Sequence, residues 1–94
     1  MSNQKTAFVF MEIYFTKHAE EKFRVLAHHG VRIAKRRVIQ TIKNPERYDY
    51  SRPPLIIAQR DLDSSHVLRV VYKIESKIIV VITFYPGRKL QYEK

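Results

Sequence analysis

The sequence predicts an α+β fold of order β-α-α-β-β-β, with a two-helix hairpin packed on a small antiparallel sheet. Three observations carry that prediction. Two runs near the C-terminus, residues 66–74 and 78–85, are dense in Val, Ile, Tyr and Phe, side chains that suit a pleated surface. Between Thr16 and Pro45 the apolar residues recur at helical spacing and are divided once, by Gly30. Ahead of Thr16, residues 8–15 alternate as a strand does, with Val9, Met11, Ile13 and Phe15 on the side facing a core.

Taken in order, Thr16 follows the first strand and offers a hydroxyl to cap a helix, with Glu20 and Glu21 near its positive end. From Lys17 to His29, Ala19, Phe23, Leu26 and Ala27 form one stripe, and Gly30 stops the helix. A second helix is expected over Arg32 to Lys43, burying Val31, Ala34, Val38 and Ile42; Asn44-Pro45 ends it, because a residue before proline avoids helical geometry. Residues 46–54 read as a loop and Leu55 to Asp61 as a strand. Asp63-Ser64-Ser65 turns into the hairpin. A three-residue loop, Glu75-Ser76-Lys77, pairs Ile74 with Ile78, Val70 with Ile82 and Arg69 with Thr83. Leu68, Val70, Tyr72, Ile78, Val80, Ile82 and Phe84 then share the apolar face, and Arg69, Thr83 and Tyr85 the opposite one. Pro86-Gly87 breaks the sheet ahead of a basic tail carrying Tyr92.

Residues 1–94 make one domain with length for a single core. Met11 is an alternative start, which would make residues 1–10 an N-terminal extension. The absence of cysteine excludes a disulfide framework and a thiolate metal site, and points to a reducing, cytoplasmic setting. No segment reaches the roughly 20 apolar residues of a membrane span, so no membrane partner is expected. Charge is the loudest feature: 18 Lys and Arg against 9 Asp and Glu, for a net +9. Between Glu21 and Glu46 there is no acid, while Lys22, Arg24, Arg32, Lys35, Arg36, Arg37 and Lys43 all occur, a one-signed patch that suits a polyanion, nucleic acid first.

Two side chains stand out chemically. His18 falls in the first helical turn, at the edge of the apolar stripe; there it is either an interfacial histidine bonded to a carbonyl or a neutral general base. Arg69 sits mid-strand among apolar residues, where an unpaired charge is costly. It needs a phosphate, a salt bridge to Glu12 or Asp61, or an open sheet face. His28 and His29 suit the negative end of their helix, and His66 a surface turn. No histidine spacing suggests a metal, and no cofactor is expected. Lys35, Arg36, Arg37 and Lys43 read as phosphate contacts that position a nucleic acid. Tyr48, Tyr50 and Tyr92 can stack on unpaired bases or pack over the sheet.

Thr16-Lys17-His18-Ala19, Gly30-Val31, Asn44-Pro45, Leu68-Arg69-Val70-Val71-Tyr72 and Val81-Ile82-Thr83-Phe84-Tyr85, in that order, resemble a family of small, uncharacterised bacterial and archaeal proteins related to the BrnT and RelE/ParE toxins. The resemblance spans about Met11 to Arg88. It implies a RelE-like fold and, as an expected activity, cleavage of RNA without metal or cofactor by attack of a 2′-hydroxyl on the adjacent phosphate. ParE-type members act instead against gyrase, so a non-catalytic module binding nucleic acid, an antitoxin or a gyrase-like target is the alternative. The implied site is His18, Arg69 and Thr83, with Tyr85, Arg88 and Tyr92 as further candidates. The lysine pair that RelE enzymes place on an earlier strand has no counterpart here. Implied partners are RNA, in some relatives on the ribosome, and an acidic antitoxin; alone, the chain is expected to be a monomer or weak homodimer.

Overall fold

The computed structural model describes residues 11–93. The start of the expected first strand, residues 8–10 with Val9 on the core side, lies outside them. Five strands form one mixed sheet: β1 (Glu12–Phe15), β2 (Arg47–Asp49), β3 (Ile56–Asp61), β4 (His66–Glu75) and β5 (Ile78–Arg88), in the spatial order β1-β5-β4-β3-β2. Helices α1 (Lys17–His28) and α2 (Lys35–Lys43) cover one face, and a four-residue helix α3 (Lys89–Tyr92) follows β5. The α+β class and the two-helix layer are as expected. The sheet is not wholly antiparallel, because β1 runs parallel to β5.

Thr16 ties the helical layer to the sheet. Its hydroxyl oxygen accepts the Ala19 N–H at 3.1 Å, capping α1, and its own hydroxyl donates to the Ile82 carbonyl at 3.3 Å. At the other end, Gly30 takes φ +84, and the Gly30 and Val31 N–H groups bond back to Ala27 and Leu26. This left-handed glycine cap lets the chain leave the helix with its last carbonyls satisfied. The second helix begins three residues later than the spacing suggested. Ala34 is its exposed N-cap, and Ile33, not Ala34, joins Val38, Thr41 and Ile42 in burial. Asn44 closes it before Pro45, as expected.

The hairpin turn differs from the expected one. Glu75 pairs with Ile78, so the loop is the two residues Ser76-Lys77, both at positive φ (49 and 67). Paired positive φ values match the right-handed twist of the flanking strands, even without Asn-Gly. Further along, Val71 faces Thr83 while Tyr72 faces Val81, leaving Ile82 as a bulge. The bulge reverses the phase of β5, and its buried residues are Ile79, Val81 and Phe84 instead of Ile78, Val80 and Ile82. They join Ala19, Val38, Ile42, Ala58, Leu68, Val70 and Tyr72 in one core, with the Phe23 and Phe84 ring centroids 4.5 Å apart.

Two further elements depart from expectation. Residues 47–49, read as loop, are strand β2, held by pairing with β3. Strand β5 continues through Pro86-Gly87, with Pro86 opposite Leu68. This is tolerated because β1 reaches only as far as Val81; beyond it β5 is an edge, where a missing N–H leaves no ladder bond unmade.

Candidate functional site

The face of the sheet away from α1 and α2 carries a row of side chains across four strands. Arg47 on β2 pairs with Gln59 on β3, Gln59 with Arg69 on β4, and Arg69 with Tyr85 on β5. Arg69 is the centre. Its Nε donates to the Tyr85 hydroxyl at 3.0 Å, Nη1 to Gln59 Oε1 at 2.6 Å and Nη2 to Asp49 Oδ2 at 2.9 Å. The side chain is 7% exposed, against 34% for Asp49. A buried guanidinium needs this many acceptors, since taking its charge out of water is otherwise too costly.

Electrostatics keeps both partners charged. Asp49 is pulled down to about 2, first by the hydroxyl and backbone N–H of Ser51 and then by Arg69. Burial opposes the Arg69 charge, but the bonds to Tyr85 and Asp49 outweigh it and the guanidinium is held more firmly protonated than usual. Above it lies the ring of Tyr92, with its centroid 4.1 Å from Arg69 Cζ. Asp49, Ser51, Arg52, Leu55, Ile57, Val71, Tyr85 and Tyr92 line an open cleft beside Arg69 of about 400 Å³.

The candidates from the sequence divide into separate places. Tyr85 and Tyr92 meet Arg69, whereas Thr83 sits one row along, opposite Val71. His18 is exposed in the first turn of α1, on the helical side of the sheet, away from Arg69. Arg88 is exposed and lies opposite His66 at the end of the hairpin. The acid that pairs with Arg69 is Asp49, not Glu12 or Asp61. His66 belongs to its turn: the Asp63 carboxylate accepts from the His66 and Ser65 backbone N–H groups and lies 2.9 Å from His66 Nδ1.

On the helical side, Arg36 and Lys43 share the outer face of α2 with Gln40, while Lys35 turns to Glu20 at 2.9 Å and over the Phe15 ring. Arg37 and Arg60 tie α2 to the end of β3. Arg37 donates to the Asp61 and Leu62 carbonyls at 3.3 and 3.1 Å, and Arg60 to the Asn44 carbonyl at 2.7 Å. Among the described residues no carboxylate pairs with Arg32, Arg36, Arg37, Lys43 or Arg60, and no cluster of three metal-ligating side chains occurs.

Asp49, Gln59 and Gly87 were not legible as site residues. Asp49 and Gln59 reach Arg69 only through strand pairing, and Gly87 matters because its missing side chain admits Tyr92. Comparison with protein-family models, with curated proteins and with solved structures finds no match.

Proposed function

We propose that this domain binds single-stranded nucleic acid, RNA foremost, through the surface built on α2, as a binding module and not by turnover at Arg69. The observation that carries the reading is how the arginines around α2 are held. Arg37 and Arg60 are anchored by main-chain carbonyls, which fix a guanidinium without neutralising it. Arg36 and Lys43 stand between them with no acid partner among the described residues. Four carboxylates are engaged away from α2, by His66, Arg69, Lys73 and Lys89, and the one beside the start of α2, Glu20, is taken up by Lys35. The result is a fixed positive plate, the arrangement that releases counterions when a phosphate backbone docks.

Arg69 is poorly placed to hold a phosphate. All three of its nitrogens already have acceptors, and Asp49, ionised beside it, would repel a phosphate oxygen. A second reading, the metal-independent ribonuclease of a toxin–antitoxin pair, draws on the Tyr85 hydroxyl, which rests on Arg69 Nε at 3.0 Å at the rim of the cleft. In that reading Tyr85 exchanges the proton of the attacking or leaving oxygen, and an acidic antitoxin covers the α2 plate. Incubating purified protein with RNA in EDTA separates the two. Salt-sensitive binding without breakage supports the module; breakage that Tyr85→Phe abolishes, with binding retained, supports the ribonuclease.

A further inference from the structure

The Arg69 guanidinium, on the wall of the open cleft, is covered by the protein's own C-terminal turn, and the cover is lightly held. Helix α3 has only four residues, none of them buried, and its Leu90 is 88% exposed. It therefore has no apolar stripe to anchor it. What fixes it is the Tyr92 ring on Arg69, a bond from Arg47 Nη1 to the Tyr92 carbonyl at 3.3 Å, and Lys89 at its start. Beneath the ring, Gly87 has no side chain, and a methyl group there would overlap Tyr92. Next to Arg69, Gln59 is 3% exposed, and its Nε2 has no hydrogen-bond partner among the described residues. A buried amide donor without a protein acceptor is costly and leaves the Arg69 row incompletely satisfied.

We propose that Tyr92 holds the place of an unpaired nucleobase, and that the Arg69 cleft is a base-binding site opened when α3 lifts. The proposal rests on the nucleic-acid-binding function and adds a site on the opposite face of the sheet from α2. A base has what the cleft lacks. Its flat π-face stacks on the guanidinium as the tyrosine ring does. The amino group on its edge suits the Asp49 carboxylate, which lines the cleft and remains 34% exposed. Arg52, on the cleft wall, is placed for the adjoining phosphate. Even with Tyr92 in place, the adjoining cleft of about 400 Å³ falls within the roughly 300–1,000 Å³ usual for small-ligand sites.

The test compares wild type, Tyr92→Ala, Gly87→Ala and Tyr92→Phe in the full chain. Guanosine 5′-monophosphate is the probe, ribose 5-phosphate the control without a base, and the Arg69 Nε–H signal in NMR titrations the readout. Removing the ring removes a competitor worth about 1 kcal/mol, so Tyr92→Ala and Gly87→Ala should bind the nucleotide roughly fivefold more tightly. Tyr92→Phe should match wild type, and ribose 5-phosphate should show no gain. Unchanged nucleotide affinity in Tyr92→Ala, or an equal gain for ribose 5-phosphate, overturns the proposal. Gly87→Ala is the more disruptive change, and Tyr92→Ala decides the matter if it fails to fold. Binding of a short RNA strand to wild type is measured in parallel. Its loss would defeat the module function, and the nucleotide comparison alone decides the base site.

Discussion

Arg69 and Asp49, twenty residues apart in the chain and two strands apart in the sheet, meet at 2.9 Å under the ring of Tyr92. The pair closes the outer face of the sheet where an apolar core would otherwise have to lie. Replacing Arg69 by Met leaves Asp49 ionised with Ser51 alone donating to it, and Gln59 loses the donor that its carbonyl accepts. Breaking such a pair costs about 3–5 kcal/mol when fully buried. With Asp49 partly hydrated, about 3 kcal/mol is expected, measured as a drop in the urea midpoint at unchanged m-value. Arg69→Lys should recover little, because one ammonium cannot reach Tyr85, Gln59 and Asp49 along three fixed directions.

Acid should loosen the same lock. The Asp49 carboxyl has its pKa depressed from 3.8 to about 2 in the folded chain. Its contribution is therefore complete above about pH 4 and disappears as pH falls toward 2. Asp63 shifts the same way and acts over the same window through the turn at His66. Stability measured against pH should fall across that range in wild type, and Asp49→Asn should lower the plateau and flatten the acid limb. An acid limb as steep in Asp49→Asn as in wild type would show that Asp49 plays no part in it.

The two-residue turn gives a prediction of opposite sign. Ser76 and Lys77 both hold positive φ, which costs a residue with a β-carbon about 1–2 kcal/mol. Glycine avoids that cost but loses about 0.5–1 kcal/mol of chain freedom on folding. Lys77→Gly should therefore stabilise the hairpin by about 0.5–1 kcal/mol, seen as a higher thermal midpoint.

Phe84 tests the phase change in β5. Fully buried and packed against the tilted ring of Phe23, it should cost about 3–5 kcal/mol when replaced by Ala, while Ile82→Ala, at the half-buried bulge, should cost clearly less. Equal losses at the two positions would contradict the observed register.

These positions also show which parts of the structure the chain wears openly. Thr16, Gly30 and Asn44-Pro45 act within a few residues of themselves, so their roles are legible locally. The bulge at Ile82 has no local signature. It is stabilised by Thr16, 66 residues away, whose hydroxyl donates to the Ile82 carbonyl. Strand β2 is too short for alternation to show and exists because β3 lies beside it. Arg69 is conspicuous as a charge among apolar residues, but its partner cannot be chosen from sequence. Asp49 is selected by the order β4-β3-β2, which brings it past Ile57 and Val71 to the edge of the Arg69 row.

Salt dependence of binding to single-stranded RNA tests the positive plate around α2 most directly. If Arg36, Arg37, Lys43 and Arg60 each meet a phosphate, log K should fall against log salt with a slope of about −3. Exposed Arg36 and half-buried Lys43, replaced by Ala, should each reduce that slope by about 0.7, Arg36→Ala without altering the thermal midpoint. A salt-independent affinity, or a slope that neither substitution moves, would contradict the account.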